Sequence, residues 1–419
     1  MKLKSKSLIL LLFLSALARM VPPARAQESS PRLLSLEDAV RMAMKQNPDL
    51  VTARLEVKRS DARVLEAWGT AMPVVDLSGQ YVHMVDKPVT FFPDYFLYSF
   101  LKGIDSTIAK PSGQLLPVSF APSFSASATV NVRQILFNGA VFIGVGAAHI
   151  YSELARDLYQ GRQVETVTKV RKAYYGALLA REAFELMRSS LQNAEDNLKN
   201  VQRMRKQGIV SEYDELRASV GVENLRPMVI QSETNYSLSI DNLKNTLGIT
   251  TNEMFVLTDS LTLRPVDDQL IARADELVLE TNPGLNATKR QIELNGAVVN
   301  AERSSYLPRI EAFGSYSYSS AKEQFNFSTN DFYKGSQVGL SLSLNLFQGL
   351  QTIARVEQAQ LEQRKSEQQK VNLERTLRTG IHSVLGNLRQ ARKRIDAQGR
   401  TLEMAERGYK IVTTRFLSN

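Results

Sequence analysis

The sequence predicts an α+β membrane protein in which long antiparallel, coiled-coil-like helices are joined to four transmembrane β-strands, with an internal two-fold sequence repeat. Two stretches of nearly seventy residues, 139–207 and 351–417, contain no proline and therefore favour long helices. Four other segments alternate apolar and polar side chains with the period of a β-strand. Several short sequences occur twice in the same order. Together these observations predict the fold class.

The repeat is anchored by two pairs of short motifs. Asn47-Pro48 recurs 235 residues later as Asn282-Pro283, and Leu-Phe-Asn-Gly at 136–139 recurs 210 residues later as Leu-Phe-Gln-Gly at 346–349. A repeat of this length indicates a duplicated architectural unit rather than a short solenoid motif. We place repeat 1 at about 35–248 and repeat 2 at about 269–419.

Residues 1–26 have the features of a secretory signal peptide. Three lysines precede an apolar run, Leu8 to Leu14, and Ala24-Arg25-Ala26 is a small-x-small cleavage signal. The apolar run is too short for a membrane-spanning helix. We therefore expect the mature chain to be residues 27–419, and loss of the five basic residues of the leader lowers the formal net charge from +9 to +4.

The composition gives little support to catalysis, metal binding or nucleic-acid binding. The chain has no cysteine, which excludes disulfides, thiolate metal sites and an acylated N-terminal cysteine. His83, His149 and His382 are isolated from one another, and neither a phosphate-binding loop nor a nucleophile elbow is present. A net charge of +4 without a basic patch does not suggest nucleic acid. We expect no enzyme activity, no cofactor and no metal site.

The four alternating segments lie at about 74–83, 122–136, 309–319 and 336–347. Ten to twelve residues suit a tilted transmembrane strand, and the small, hydroxyl-rich polar side suits a wet lumen. The predicted lumen-lining residues are Asp76, Ser78, Gln80, Ser125, Ser127, Asn131, Arg133, Glu311, Ser315, Ser341 and Ser343. The predicted lipid-facing residues are Val130, Val132, Leu340, Leu342 and Leu344. Phe313 is an exception to the alternation, and we expect Phe137 and Phe347 in an interfacial aromatic girdle.

Four strands are too few for a closed barrel. An open sheet edge in lipid would leave backbone groups unsatisfied, and eight strands are the usual lower limit. The alternation therefore predicts that several copies of the chain share one barrel. An ordinary half-buried antiparallel sheet remains the alternative.

The helical regions predict a long hairpin. Residues 139–248 should form two antiparallel helices with a tight turn at 208–211, because Gly208 can end one helix and Ser211 can cap the next. Pro227 should bend the return helix. Residues 249–268 are expected to be an irregular connector, and 269–305 a single helix that leads to the third strand.

The chain resembles the TolC-like outer membrane efflux protein family. The resemblance rests on the duplicated Asn-Pro-x-Leu motif at Asn47 and Asn282, the Leu-Phe-x-Gly motif at Leu136 and Leu346, and the stretch RMRKQGIVSEYDEL at 203–216. It covers essentially all of the mature chain. It implies a homotrimer in the bacterial outer membrane, with a shared 12-stranded barrel and a long helical tunnel in the periplasm. It also implies no catalysis.

The resemblance further implies partners. An inner-membrane transporter would be joined to the tunnel by a periplasmic adaptor protein that grips the helical tips. The tip residues implied by the resemblance are Arg205, Gly208, Ile209, Val210, Ser211 and Leu216. A purely structural role of Gly208 and Ser211 in the turn is the simpler interpretation, and both roles are compatible.

Two features depart from a simple duplication. At an offset of 211 residues Gly208 corresponds to Asn419, so the second copy is expected to be C-terminally incomplete and the gate residues of the second tip cannot be assigned. The first strand pair is joined by a long aromatic loop at about 84–121, whereas the second connection has about 16 residues. The aromatic loop either caps the pore or packs against neighbouring loops, and packing is the simpler expectation.

The leading hypothesis is a passive exit duct of a tripartite efflux or type I secretion system. Drugs, metal ions or secreted protein are candidate cargoes, and the absence of methionine from the lumen strands disfavours copper. The alternative is a periplasmic coiled-coil scaffold protein without a barrel. A single-chain porin would need many more strands than this chain offers.

Overall fold

A computed structural model of the chain describes residues 32–102, 112–249, 253–263 and 265–418. The predicted signal peptide, residues 1–26, lies outside the described residues. Helices occupy α1 Leu36–Gln46, α2 Pro48–Thr70, α3 Asp94–Leu101, α4 Gly139–Lys206, α5 Glu212–Leu247, α6 Asp268–Ala272, α7 Ala274–Thr281, α8 Pro283–Arg303 and α9 Gln351–Ser418. Among the helices described, none is both long enough and apolar enough to cross a membrane.

The strands are β1 Arg32–Leu34, β2 Val74–His83, β3 Thr90–Pro93, β4 Leu115–Val118, β5 Phe124–Phe137, β6 Phe255–Leu257, β7 Arg309–Lys322 and β8 Tyr333–Ser343. The principal sheet has four antiparallel strands in the order β2-β5-β7-β8. β3 and β4 form a separate hairpin, and β1 pairs with β6 in parallel. The prediction of a mainly helical chain that also carries strands is confirmed.

The strand ends differ from the predicted ones where pairing ends. β8 stops at Ser343, which lies opposite Arg309, the first residue of β7. The residue before Arg309 is Pro308, which has no N–H to continue the ladder. The predicted strand 336–347 is therefore too long at its end. It begins earlier than predicted, at Tyr333, which lies opposite Ser319 of β7.

The helix predicted over 269–305 is interrupted twice. α6 ends before Arg273, and α7 ends before Asn282, whose backbone leaves the helical region with φ −66° and ψ 116°. A residue before proline is disfavoured in the helical region, so Pro283 enforces the second break. Asn282 then caps α8, because its side chain accepts a hydrogen bond from the Leu285 N–H at 3.0 Å.

Backbone contacts divide the chain into two compact units, the first comprising the described residues within 32–52 and 162–265. Its buried centre is built from α1, the middle of α4, the end of α5 and the β1–β6 pair: Leu34, Ala39, Ala43, Val170, Tyr174, Ala177, Leu178, Leu243, Leu247, Phe255 and Leu257. The predicted irregular connector 249–268 is therefore wrong in part, because β6 lies within it. β6 pairs with a strand more than two hundred residues away, so no local signal indicates it.

The second unit comprises residues 53–161 and 266–419, of which 419 and part of the long aromatic loop lie outside the described residues. It contains the principal sheet and the packed pair α8 and α9. Between these helices, the Asn295 side-chain amide donates to the hydroxyl of the buried Ser366 at 2.7 Å. Small polar residues at such positions let two helices approach closely while their polar atoms stay paired.

Candidate functional site

The polar face of the principal sheet is the first candidate region. Residues that lie directly opposite each other in the ladder share a face, and one such row is Asp76, Asn131, Ser315 and Gln337. Stepping along each strand by two residues places every predicted lumen residue on this face: Asp76, Ser78, Gln80, Ser125, Ser127, Asn131, Arg133, Glu311, Ser315, Ser341 and Ser343. The structure thus brings the whole predicted set together, on one surface.

Charged groups on this face are concentrated near Asp76. The Asn131 side-chain amide donates to the Asp76 carboxylate at 2.9 Å, and the Arg133 guanidinium lies 3.6 Å from the same carboxylate. Glu311 lies diagonally across the sheet from Arg133. These groups line a concavity of about 590 Å³, whose lining residues are Asp76, Asn131, Val132, Arg133, Glu311, Phe313, Gly314, Ser315, Gln337 and Ser341.

Phe313, the exception in the sequence alternation, belongs to the polar face. It lies opposite Gly339, and a Cβ added to that glycine would come within 2.7 Å of the Phe313 ring. The ring therefore covers the cross-strand position that Gly339 leaves open. Aromatic rings commonly compensate for glycines in neighbouring strands in this way.

The apolar face carries four of the five residues predicted to face lipid, namely Val130, Val132, Leu340 and Leu342. Leu340 is 72% exposed and the neighbouring Val338 is 89% exposed, so this face presents uncovered apolar side chains. Leu344 lies outside the sheet, because β8 ends at Ser343. Its predicted place on a lipid-facing strand is wrong.

Of the two phenylalanines expected in an aromatic girdle, Phe137 ends β5, whereas Phe347 lies outside the sheet and is 80% exposed. The sequence reasoning missed a larger aromatic cluster at the opposite end, where the loops join the strands. Tyr81, Phe124 and Phe327 each contact Phe325 with ring centroids 5.8, 5.9 and 6.0 Å apart. Tyr81 and Phe124 both lie on the apolar face of the sheet. This aromatic cluster therefore forms part of the loop end of that face.

The long aromatic loop contains a folded substructure. β3 and β4 pair antiparallel, and α3 follows β3 directly. The Asp94 carboxylate accepts hydrogen bonds from the backbone N–H groups of Ser112 and Gly113, and Phe92 contacts Phe120 edge-on at 5.8 Å. In the described part of the loop, packing within the loop is therefore present.

The hairpin tip between α4 and α5 is the second candidate region. Gly208 has a φ of +75°, a conformation that glycine adopts without strain, and the Ile209 N–H donates to the Met204 carbonyl at 3.0 Å. Ser211 and Asp214 form a reciprocal capping box that starts α5. The local sequence therefore fixes both the end of one helix and the start of the next.

The predicted tip residues are mostly exposed. Ile209 and Leu216 are each 62% exposed, Gly208 and Ser211 are exposed, and Val210 is half-buried. Tyr213, which the sequence reasoning did not single out, is 71% exposed. The signal that could have identified Tyr213 as a tip residue is its position between Ser211 and Asp214, the capping residues of an exposed turn.

Arg205 connects the two sides of the tip. Its guanidinium contacts the Glu215 carboxylate and lies 3.4 Å from that of Glu212. The hydrogen bond from Arg205 lowers the pKa of Glu215 below its usual value, and the hydrogen bond from the Ser211 hydroxyl lowers the pKa of Asp214. The carboxylates are therefore ionised at neutral pH, and the turn is held by charge-assisted bonds.

Within the ranges that the structure describes, no group of three or more His, Cys, Asp or Glu side chains is arranged to bind a metal ion. The two candidate regions are surfaces rather than enclosed reaction centres.

Comparison with known proteins gives a consistent result. A family model described as outer membrane efflux protein matches residues 39–249 and 276–418. The alkaline protease secretion protein AprF of Pseudomonas aeruginosa is 23% identical over 288 residues, which are 67% of this chain and 59% of AprF. The outer membrane protein TolC of Vibrio cholerae is 19% identical over 295 residues, 68% of this chain and 67% of TolC.

Among solved structures, the outer membrane protein VceC from Vibrio cholerae aligns with a TM-score of 0.66 at 14% identity. The alignment covers 92% of this chain and 86% of VceC. This similarity supports the same fold. The chain matches about three fifths of the length of AprF, so its activity and partners require an argument from its own residues.

Proposed function

Because the chain belongs to the outer membrane efflux protein family and lies in the outer membrane, we propose that it is the passive exit duct of a tripartite efflux or type I secretion system. The observation that carries the proposal is the two-sided principal sheet. One face gathers hydroxyl, amide and charged side chains. The other presents exposed apolar side chains such as Leu77, Val338, Leu340 and Leu342, and carries Lys322 and Lys334 only at its loop end. Such a sheet fits a wall between water and lipid.

The edges of the sheet support assembly from several copies. β2 and β8 each have one side without a partner strand in the described chain, and each is at least ten residues long. An unpaired edge in hydrocarbon costs several kcal/mol per backbone group, so pairing of β8 with β2 of another copy is favoured. Three copies of four strands give the proposed 12-stranded barrel of a homotrimer.

The hairpin tip is the proposed contact of the periplasmic adaptor, and the helices from α4 onward are the proposed periplasmic tunnel. Exposed apolar side chains at Ile209, Tyr213 and Leu216 surround a turn that its caps hold in one conformation. A fixed turn with apolar anchors suits a protein contact, because little conformational entropy is lost on binding. The adaptor would couple the duct to an inner-membrane transporter that supplies the energy.

The cargo proposal follows from the relatives' names. AprF is named for secretion of an alkaline protease, which favours a secreted protein as cargo of this chain over a small molecule. A periplasmic scaffold without a barrel, the competing hypothesis, leaves the uncovered apolar face without a role. It also predicts that the protein is released from cells without detergent.

The test compares adjacent residues on opposite faces of β8. Leu340→Arg would put a charge into lipid and should cost about 2–4 kcal/mol if the residue lies near the membrane midplane. Ser341→Arg puts the same group on the polar face and should be tolerated. We expect trimers of Ser341→Arg, and not of Leu340→Arg, in detergent extracts of outer membranes.

Equal assembly of the two variants would show that the face assignment is wrong. Release of the unmodified protein by osmotic shock in the absence of detergent would instead favour the scaffold. Deletion of the gene, followed by comparison of secreted proteins and of growth on toxic compounds, distinguishes the cargo classes.

A further inference from the structure

The polar face of the principal sheet is divided into two sections. Near the ends that join the helices, Asp76, Arg133, Arg309 and Glu311 lie on the same face, and we call these four residues the charge belt. Nearer the loops, the described rows of this face carry no charged side chain. Typical rows there are Ser78, Thr129, Ser317 and Gly335, and Gln80, Ser127, Ser319 and Tyr333.

The charge belt contains two carboxylates and two guanidinium groups, so its formal charges balance. Asp76 and Arg133 are 3.6 Å apart, and their side chains are 43% and 61% exposed. Glu311 and Arg309 lie on successive positions of the same face of β7. Exposed pairs of this kind add little to stability, because water screens them. Asp76, Arg133 and Glu311 also line the concavity of about 590 Å³, so their charges face its contents.

Fixed charges that line an aqueous passage through a low-dielectric wall act on passing ions, because the wall focuses the field. Rings of charged side chains set ion selectivity in other channels for the same reason. Here the described strand rows of the loop-side section offer only hydroxyls, amides and apolar groups, and the nearest charges beyond them are Lys87 and Glu323, which pair with each other. Among the described strand residues of the polar face, the charge belt is therefore where ions meet fixed charge.

We propose that the charge belt determines the ion selectivity of the barrel, and that its balance makes the barrel nearly indifferent to the sign of small ions. This inference rests on the proposed function, since it requires the polar face to line a lumen. Loss of one charge leaves an excess of the other sign in every copy around the lumen. Selectivity should then change in a direction that the removed group dictates.

The experiment measures reversal potentials of the purified full-length protein in planar lipid bilayers under a potassium chloride gradient. Arg133→Gln leaves the carboxylates in excess and should raise the permeability ratio of potassium to chloride roughly threefold. Glu311→Gln leaves the guanidinium groups in excess and should lower the ratio by a similar factor. The unmodified protein should lie between the two.

Three further variants serve as controls. Arg133→Lys keeps the charge and should keep the ratio of the unmodified protein. The double variant Asp76→Asn with Arg133→Gln removes one charge of each sign and should restore the balance. Arg309→Gln should act in the same direction as Arg133→Gln without breaking the contact with Asp76, so it supplies the measurement if Arg133→Gln fails to assemble.

The outcomes separate the two proposals. Absence of any conductance from the assembled, unmodified protein would contradict the duct itself. Normal conductance with the same reversal potential in Arg133→Gln, Arg309→Gln and Glu311→Gln would leave the duct in place and overturn the role of the charge belt. Opposite shifts that the double variant cancels would establish it.

Discussion

The two occurrences of the Asn-Pro-x-Leu motif make the same local structure and are buried differently. Asn47 and Asn282 both precede a proline at the start of a helix, and both side-chain oxygens accept from the backbone of the following turn. Asn47 is buried and also donates to the Thr246 carbonyl at 2.8 Å, whereas Asn282 is half-buried. The sequence motif therefore determines that a helix cap forms, and the surroundings of the asparagine determine how much that cap contributes to stability.

The same contrast holds for the glycines of the Leu-Phe-x-Gly motif. Gly139 is required by close packing, because a Cβ there would lie 2.6 Å from the Ser304 Cβ. Gly349 has open space around it but adopts a φ of +58°. One glycine is needed for its lack of volume and the other for its backbone freedom.

Among the residues of the two duplicated motifs, the largest effect is expected from Gly139→Ala. The added methyl group overlaps the buried Ser304 and approaches Leu307, so unfolding free energy should fall by about 2–3 kcal/mol. Gly349→Ala should cost about 1 kcal/mol from backbone strain alone. Urea unfolding of the detergent-solubilised protein, followed by circular dichroism, measures both.

Gly144→Ala is the matched control for the glycine pair. Gly144 lies inside α4 with nothing within 4 Å of an added Cβ, so alanine should be neutral or stabilise the helix by up to about 1 kcal/mol. A loss at Gly144 as large as that at Gly139 would mean that volume at Ser304 is not the cause.

The asparagines should differ by a smaller amount. Asn47→Ala removes acceptors for two N–H groups and leaves the Thr246 carbonyl without its donor, so we expect a loss of about 2 kcal/mol. Asn282→Ala should cost about 1 kcal/mol. Asn47→Asp keeps the cap but not the donor, and its stability should lie between that of Asn47→Ala and the unmodified protein. Equal losses at Asn47 and Asn282 would show that burial does not distinguish the two caps.

The sequence was sufficient to predict those structural features whose determining residues lie close together in the chain. The alternation identified which strand residues share a face, because side chains two residues apart always do. The capping residue Ser211 identified the start of α5, whereas the start of α8 after Asn282 fell within a single predicted helix, 269–305. All of these predictions depend on residues within four positions of one another.

The features that sequence missed depend on distant partners. β8 ends at Ser343 because Pro308, the residue before the partner strand β7, cannot continue the ladder, and Leu344 therefore lies beyond the sheet. β1 and β6 have three residues each and become strands only by pairing across the chain. The aromatic cluster likewise forms between Phe325, in the connection from β7 to β8, and residues of two other strands, Tyr81 of β2 and Phe124 of β5.

The two long helices, α4 and α9, also differ at Tyr174. The residue at the corresponding position of the repeat, 211 residues later, is Leu385, which has no hydroxyl group. The Tyr174 hydroxyl is fully buried within 2.8 Å of the Asp259 carboxylate and 2.9 Å of the Leu34 carbonyl. Burial, together with Asp259, raises the pKa of Tyr174 to about 12. A raised pKa means that stability is present below pH 10 and is lost as the pH rises toward 12.

The expected loss from Tyr174 is roughly 2 kcal/mol between pH 10 and 12. Tyr174→Phe should be less stable at neutral pH, because Asp259 loses a donor, and should lose less additional stability in the alkaline range. Urea unfolding at pH 8, 10 and 12 measures the difference. Parallel alkaline losses in both proteins would place the responsible group elsewhere.

The smallest effect concerns the helices that precede the two asparagines. α1 is capped by the preceding Ser35, whose hydroxyl accepts from the Asp38 N–H at 3.1 Å. Arg273, which precedes α7, makes no side-chain cap hydrogen bond. Ser35→Ala should therefore cost about 1 kcal/mol. Arg273→Ala removes only an exposed ion pair with Glu276 and should change stability by less than about 0.5 kcal/mol. If Arg273→Ala were the more costly change, side-chain capping would not explain the difference between the two helix starts.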